Sequence, residues 1–226
     1  MEHSLQDFRI GFFIDGFTLK KVNEYYRYYH PFQSCLDFVG LKNWAKAEAL
    51  KVFSMDRRRV SWESHYYHPE SNPLNRSWHS SGIMRFEQQI LDAGIQMHYC
   101  DMACAPANRP NMALMDDVMV FAAYRSLDAV VLMSTQGQFS SLPERLKSCG
   151  IPTLLLGWNY TYPKNNSIVH WKTDLNLKEN SSYYVAMEQV ADSVKGDRLK
   201  RCIFQGRGYL PKKPGKFMNA IPPLIS

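Results

Sequence analysis

The chain has 226 residues, 45% of them hydrophobic and 21% charged, with a formal net charge of +6. That length predicts one domain with a tail and a sizeable core, and the positive balance permits an anionic partner such as RNA without requiring one. No apolar run approaches the ~20 residues that span a bilayer, and the N-terminal MEHSLQDFR is polar. The five cysteines, an odd number without a secretory leader, suit reduced thiols in a soluble, cytoplasmic protein with no membrane partner.

In chain order, residues 9–14 are almost wholly apolar, the pattern of a central strand buried on both faces, and Asp15-Gly16 ends it. Residues 19–29 read as a helix rich in Lys and Tyr, whose tyrosines either stack on bases or pack against the sheet. A second helix spans 40–53, with Leu41, Trp44, Ala45, Ala49 and Val52 along one stripe. The basic turn Arg57-Arg58-Arg59, a solvated surface or a phosphate contact, leads into a strand over 60–67. Residues 68–77, with two prolines and two asparagines, read as loop. Ile83, Phe86, Ile90 and Leu91 mark a helix that Gly94 stops, and 95–100 form the next strand. His98, Cys100 and Cys104 match no common zinc spacing. After a loop over 102–110 comes a helix over 111–126 that is apolar nearly all round, with Asp117 either at a cleft rim or held by a partner.

The run Ala129 to Met133 is aliphatic and short, again a strand buried on both faces. It breaks at Ser134-Thr135-Gln136-Gly137-Gln138. A helix follows, with Ser141 and Glu144 spaced as a capping box, Phe139, Leu142, Leu146 and Cys149 at helical spacing, and Gly150 as its left-handed stop. Residues 151–157 make the fifth strand. Five strands alternating with helices predict an α/β fold, a mainly parallel sheet with helices on both faces. In such sheets ligands sit at the carboxyl ends of the strands, which places the site at the loop after Met133. Residues 182–194 carry Tyr184, Met187 and Val190 at helical spacing. From residue 195 the chain turns basic and rich in Gly and Pro, and this tail suits RNA binding, docking on a protein partner, or docking on the domain itself.

Two stretches, Ile10-Gly11-Phe12-Phe13-Ile14-Asp15-Gly16-Phe17 and Ser134-Thr135-Gln136-Gly137-Gln138-Phe139, resemble the NYN branch of the PIN-like ribonucleases. In that family a first strand ends I-D-G-x-N, a K-G-x-D opens a helix carrying a further Asp, and a later strand ends S-G-D-x-D-F. The resemblance covers roughly residues 8–160 and implies a PIN-like domain there, an extension over 161–194 with a helix, and a basic tail over 195–226. It also implies a cluster of carboxylates holding Mg²⁺ or Mn²⁺ for phosphodiester hydrolysis.

Carried over by position, the resemblance retains two acids, Asp15 and Asp117, as the catalytic pair and as the metal ligands if any metal binds. Three acidic positions have become amides: Asn111, Gln136 and Gln138. Thr18 stands where the family has Asn, and Arg109 lies near the family's Lys. A hard divalent ion prefers anionic oxygens, so the resemblance implies no cofactor, or weakly held Mg²⁺ or Mn²⁺. Amides add N–H donors that carboxylates lack, which suits a phosphate or a base. Thr18, Arg109, Ser134 and Thr135, with Lys200, Arg201 and Arg207 of the tail, are the candidate RNA contacts. Three functions follow: a degraded family member that binds RNA or regulates a partner, a working ribonuclease that recruits a third acid such as Asp116 or Asp101, or a structural subunit of an assembly.

Overall fold

The computed structural model describes residues 7–31, 33–55, 60–71, 81–100, 109–165, 167–192 and Phe204. Eight strands are present among them: β1 (Phe8–Asp15), β2 (Val60–Ser71), β3 (Gln96–Cys100), β4 (Ala129–Met133), β5 (Thr153–Gly157), β6 (Tyr160–Lys164), β7 (Ser167–Trp171) and β8 (Tyr183–Ala186). Seven helices connect them: α1 (Gly16–Tyr28), α2 (Phe38–Val52), α3 (Ser81–Asp92), α4 (Ala113–Tyr124), α5 (Ser141–Ser148), α6 (Leu175–Asn180) and α7 (Met187–Asp192). Six strands form one sheet in the order β3-β2-β1-β4-β5-β8, and every pairing in it is parallel.

Parallel neighbours need crossovers, and the crossovers cover both faces of the sheet. On one face Ile10, Phe12 and Ile14 of β1 and Ala129, Val131 and Met133 of β4 join Leu19 and Val22 of α1, Leu41 and Trp44 of α2, and Met187 and Ala191 of α7. On the other, Phe13, Val130 and Leu132 meet Leu114 and Val118 of α4 and Leu142 and Leu146 of α5. The two-residue alternation thus sends successive apolar side chains into opposite cores, which is why these strands read as unbroken apolar runs.

The strand order reverses direction at β1 and β4. From β1 the chain builds outward through β2 and β3, then returns over α4 to β4 and builds the other way. That switch point opens a crevice at the carboxyl ends of β1 and β4, where neighbouring loops turn away from each other.

The structure departs from the sequence expectation in four places. β2 runs on to Ser71, because its end pairs with β3 (Ser71↔Cys100) across a bulge, so 68–71 is strand rather than loop. The sheet has a sixth strand. Residues 183–186, read as the start of a helix, pair with the open edge of β5 (Leu154↔Tyr183 to Gly157↔Ala186), and only α7 is helical. The extension after residue 160 is therefore built into the domain. Residues 160–164 and 167–171 pair as antiparallel strands that helical periodicity could not signal, with Asn165 at φ 47° following the first of them. Finally, α5 begins at Ser141 itself, with no side-chain cap, and the Ser141 hydroxyl points instead at the Met115 sulfur, 3.6 Å away. The arginine turn 57–59 lies outside the described residues.

Candidate functional site

Asp15 closes β1 and caps α1. Its Oδ1 accepts from the Phe17 N–H at 3.0 Å, satisfying one of the free donors of the helix start. Its Oδ2 accepts from the Thr18 hydroxyl at 2.6 Å and from the Ser134 hydroxyl at 3.0 Å. Ser134 and Thr135 arrive from the end of β4, across the switch point. Thr18 Oγ1 also accepts from the Thr135 N–H at 3.1 Å and lies 3.1 Å from Thr135 Oγ1. Gln136 extends the set: its backbone N–H donates to Ser134 Oγ and its side-chain amide to Thr135 Oγ1. Asp15, Thr18, Ser134 and Thr135 are all buried. The order of motifs in the sequence brings these five residues together.

Burial dominates the Asp15 carboxyl and pushes its pKa up to about 6, although the Thr18 and Ser134 hydroxyls and the backbone donors pull it down. Glycine is required beside it. A Cβ on Gly16 would lie 2.3 Å from the Tyr67 carbonyl oxygen and 2.8 Å from the Tyr66 ring.

Asp117 belongs to a different network. Tyr67 Oη donates to its Oδ2 at 3.0 Å, and His98 Nδ1 lies 3.7 Å from the same oxygen. Burial, reinforced by the Asp117 charge, keeps the Tyr67 phenol protonated. His98 stacks on the Tyr67 ring and its Nε2 is 3.0 Å from Nδ1 of His65, which lies between Phe13 and Phe121. Asp117 is thus held by partners while its side chain stays 38% exposed, and it shares none of the hydrogen bonds of Asp15.

Burial lowers the pKa of His65 to about 4 against the opposing pull of Glu63, and burial also lowers that of His98. Both are neutral in the fold at pH 7, whereas the unfolded chain protonates near 6.5. The unfolded state therefore takes up more protons as pH falls from about 6.5 toward 4, and stability is lost across that window. His65→Gln should flatten this acid sensitivity, read as urea midpoints at pH 7 and pH 5. An unchanged midpoint difference would count against a neutral His65.

The three amide positions are dispersed. Asn111 is buried, donating to the His68 carbonyl at 3.1 Å and accepting from the Ala113 N–H. A carboxylate there could not make the first of these bonds. Gln136 is half-buried against Thr135, and Gln138 is exposed on a single 3₁₀ turn at Gly137–Phe139. Arg109 is exposed before α4, while Lys200, Arg201 and Arg207 lie outside the described residues. One tail residue is placed: Phe204 is buried, 4.7 Å from the Tyr26 ring and bridged to Leu36, so at this point the tail docks on the domain itself. The α1 tyrosines are used in packing, Tyr25 stacking on Tyr160 of the hairpin at 4.0 Å and Tyr29 meeting Tyr162 at 4.1 Å.

Two features of the rim carry no signal in the sequence. Phe17 and Trp171 meet at 6.0 Å with Lys21 over the Phe17 ring, beside the Asp15 cluster. Asp174 caps α6 through Leu177 N–H, and a Cβ on Gly137 would lie 2.7 Å from its Oδ2, so a carboxylate from the extension rests on the loop after β4. It is found only through the hairpin that carries the chain back.

The donor set does not fit a divalent cation. Both oxygens of Asp15 are occupied by hydroxyl and N–H donors inside a buried cluster, and Asp117 is bound to Tyr67. Among the described residues no three His, Cys, Asp or Glu side chains converge as a metal site.

The fold defines a doubly wound α/β protein of the Rossmann and PIN-like kind, with its crevice at the β1/β4 switch point. A solved structure of a Vibrio parahaemolyticus protein of unknown function is similar, with a TM-score of 0.54 and 16% identity over 82% of this chain and 96% of that one, a likeness of fold alone. No protein-family model matches the chain, and no curated protein matches it. Among the described residues no helix is long and apolar enough to cross a membrane.

Proposed function

We propose that this chain is an NYN-type, PIN-like protein that binds single-stranded RNA in the cytoplasm without cleaving it. The observation that carries this reading is the closure of Asp15 by Thr18, Ser134 and the Phe17 N–H, which turns the family's first catalytic acid into a structural cap. Around it the crevice presents what a neutral RNA site needs: the Gln136 and Gln138 amides, the Phe17 and Trp171 rings, and the Lys21 ammonium. Stacking on aromatic rings tolerates any base, and a cation beside it tracks the phosphate. The free thiols of Cys35 and Cys149 support a reducing compartment.

Fluorescently labelled single-stranded RNA should bind the purified full chain and stay intact with Mg²⁺ or Mn²⁺. Lys21→Ala should weaken binding and lower its salt slope by about 0.7, the share of one phosphate contact on a single strand. Absence of binding would overturn the proposal. The position of Asp174 against Gly137 favours one alternative, a nuclease that recruits this acid beside Asp15. Cleavage lost in both Asp15→Asn and Asp174→Asn would establish that alternative.

A further inference from the structure

A cleft of about 570 Å³ opens at the amino ends of the strands, on the edge of the sheet opposite the Asp15 cluster. It lies among the first residues of β1 and β8, the residues leading into β4 and β5, and the ends of α2 and α5. Its volume is that of a small-molecule site. Three aromatic side chains line it: Phe8 is half-buried, Phe53 is buried and Tyr183 is 45% exposed. The Phe53 ring lies 6.5 Å from Phe8 at an interplanar angle of 45°, and 5.7 Å from Tyr183 at 77°. Rings inclined in this way make a cup for a rounded group, whereas a flat base is held between parallel walls.

The charge at the cleft has one sign. Among the described residues Asp128 is its one charged side chain, and no Lys, Arg or His lines it. Asp128 is exposed; its Oδ2 accepts from the Arg9 backbone N–H at 2.8 Å, and its carboxylate has no ion pair among the described residues. α2 and α5 both end here, so two helix dipoles present their negative ends to the same space. Lys51, Arg145 and Lys147 sit in the last turns of these helices, but none of them lines the cleft, and Lys51 is ion-paired with Glu48 at 3.2 Å. We infer that this cleft binds a small organic cation with an apolar body, of the quaternary ammonium class. The aromatic cup takes the alkyl groups, whose positive charge the ring faces attract, and the free side of the Asp128 carboxylate stands beside that charge. A phosphate or carboxylate ligand would instead meet Asp128 and two helix carboxyl ends.

The cleft and the Asp15 crevice lie on opposite edges of the sheet, so the inference stands apart from RNA binding. Choline and its uncharged isostere, the alcohol with carbon in place of nitrogen, are the probes, titrated at fixed ionic strength into the full chain with its methionines labelled at the methyl carbon. Met55 lines the cleft, and its methyl resonance is assigned by its loss in Met55→Leu. That resonance should move saturably with choline at tens of millimolar or below, and the alcohol should bind about fivefold more weakly. Tyr183→Ala should weaken choline binding about two- to fivefold, the share of one cation–π contact at an exposed site, and Tyr183→Phe should leave it unchanged. Asp128→Asn keeps an oxygen for the Arg9 N–H and should weaken choline binding about fivefold through the lost charge. A Met55 resonance that stays still, equal affinity for the alcohol, or choline binding unchanged in both Asp128→Asn and Tyr183→Ala would each overturn the site.

Discussion

Asp15→Asn should gain about 3 kcal/mol of stability relative to the wild type as the pH rises from 4 to 7. In the fold burial holds the Asp15 pKa near 6, against a model-peptide value of 3.8. Between those values the native state binds more protons than the unfolded chain, so wild-type stability falls as the pH rises through the window. Below 3.8 the effect vanishes, and above 6 it is complete. At about 1.4 kcal/mol for each pH unit, the interval amounts to about 3 kcal/mol. Asn keeps an oxygen for the Phe17 N–H, and its amide can face the Thr18 and Ser134 hydroxyls, which then turn to accept. The histidine contribution has the opposite sign but is common to both proteins and cancels in the comparison. Urea unfolding of both at pH 4.5 and pH 7.5 spans the upper part of that window and should show about 2 kcal/mol of the change. A shift toward the wild type would mean that the Asp15 pKa is depressed, as for an acid poised to hold a cation, and would reopen the metal-dependent reading.

Gly16→Ala is expected to cost about 3 kcal/mol, enough to threaten folding of a marginal domain. The new Cβ would sit 2.3 Å from the Tyr67 carbonyl oxygen, which is backbone in a central strand and has no rotamer to escape into. β1 and β2 would have to part just where Asp15 caps α1. Gly150→Ala makes the contrast: nothing lies within 4 Å of its Cβ, and the penalty is only the left-handed backbone at φ +76°, about 1 kcal/mol. Thermal or urea unfolding of the two variants side by side should rank them in this order. Equal losses would show that the β1–β2 junction yields more readily than its geometry implies.

Much of the domain was legible from local pattern. β1, β4 and β5 announce themselves because a parallel strand buried on both faces must be apolar at every position. The Asp15, Thr18, Ser134, Thr135 and Gln136 cluster was legible because parallel strands put their carboxyl ends on one edge, so two strand-end motifs had to meet. The hairpin and β8 were not. Tyr184, Met187 and Val190 fit a helical stripe, and only the unpaired backbone of β5 makes 183–186 extended instead.

The sequence by itself determined the fold class, the edge of the sheet where the two strand-end motifs meet, and Asp15 and Asp117 as the candidate acids. The tertiary structure decided what those acids do. Whether Asp15 faces a cation or three hydrogen-bond donors depends on how α1 and β4 approach it, and its proton affinity depends on the water that packing excludes. Asp117 lies on a helix whose rotation about the sheet is set by Leu114, Val118 and Ala122, and that rotation delivers it to Tyr67 and His98 instead of Asp15. Residue spacing carries type and order, whereas ligation and charge state arise from distances between elements far apart in the chain.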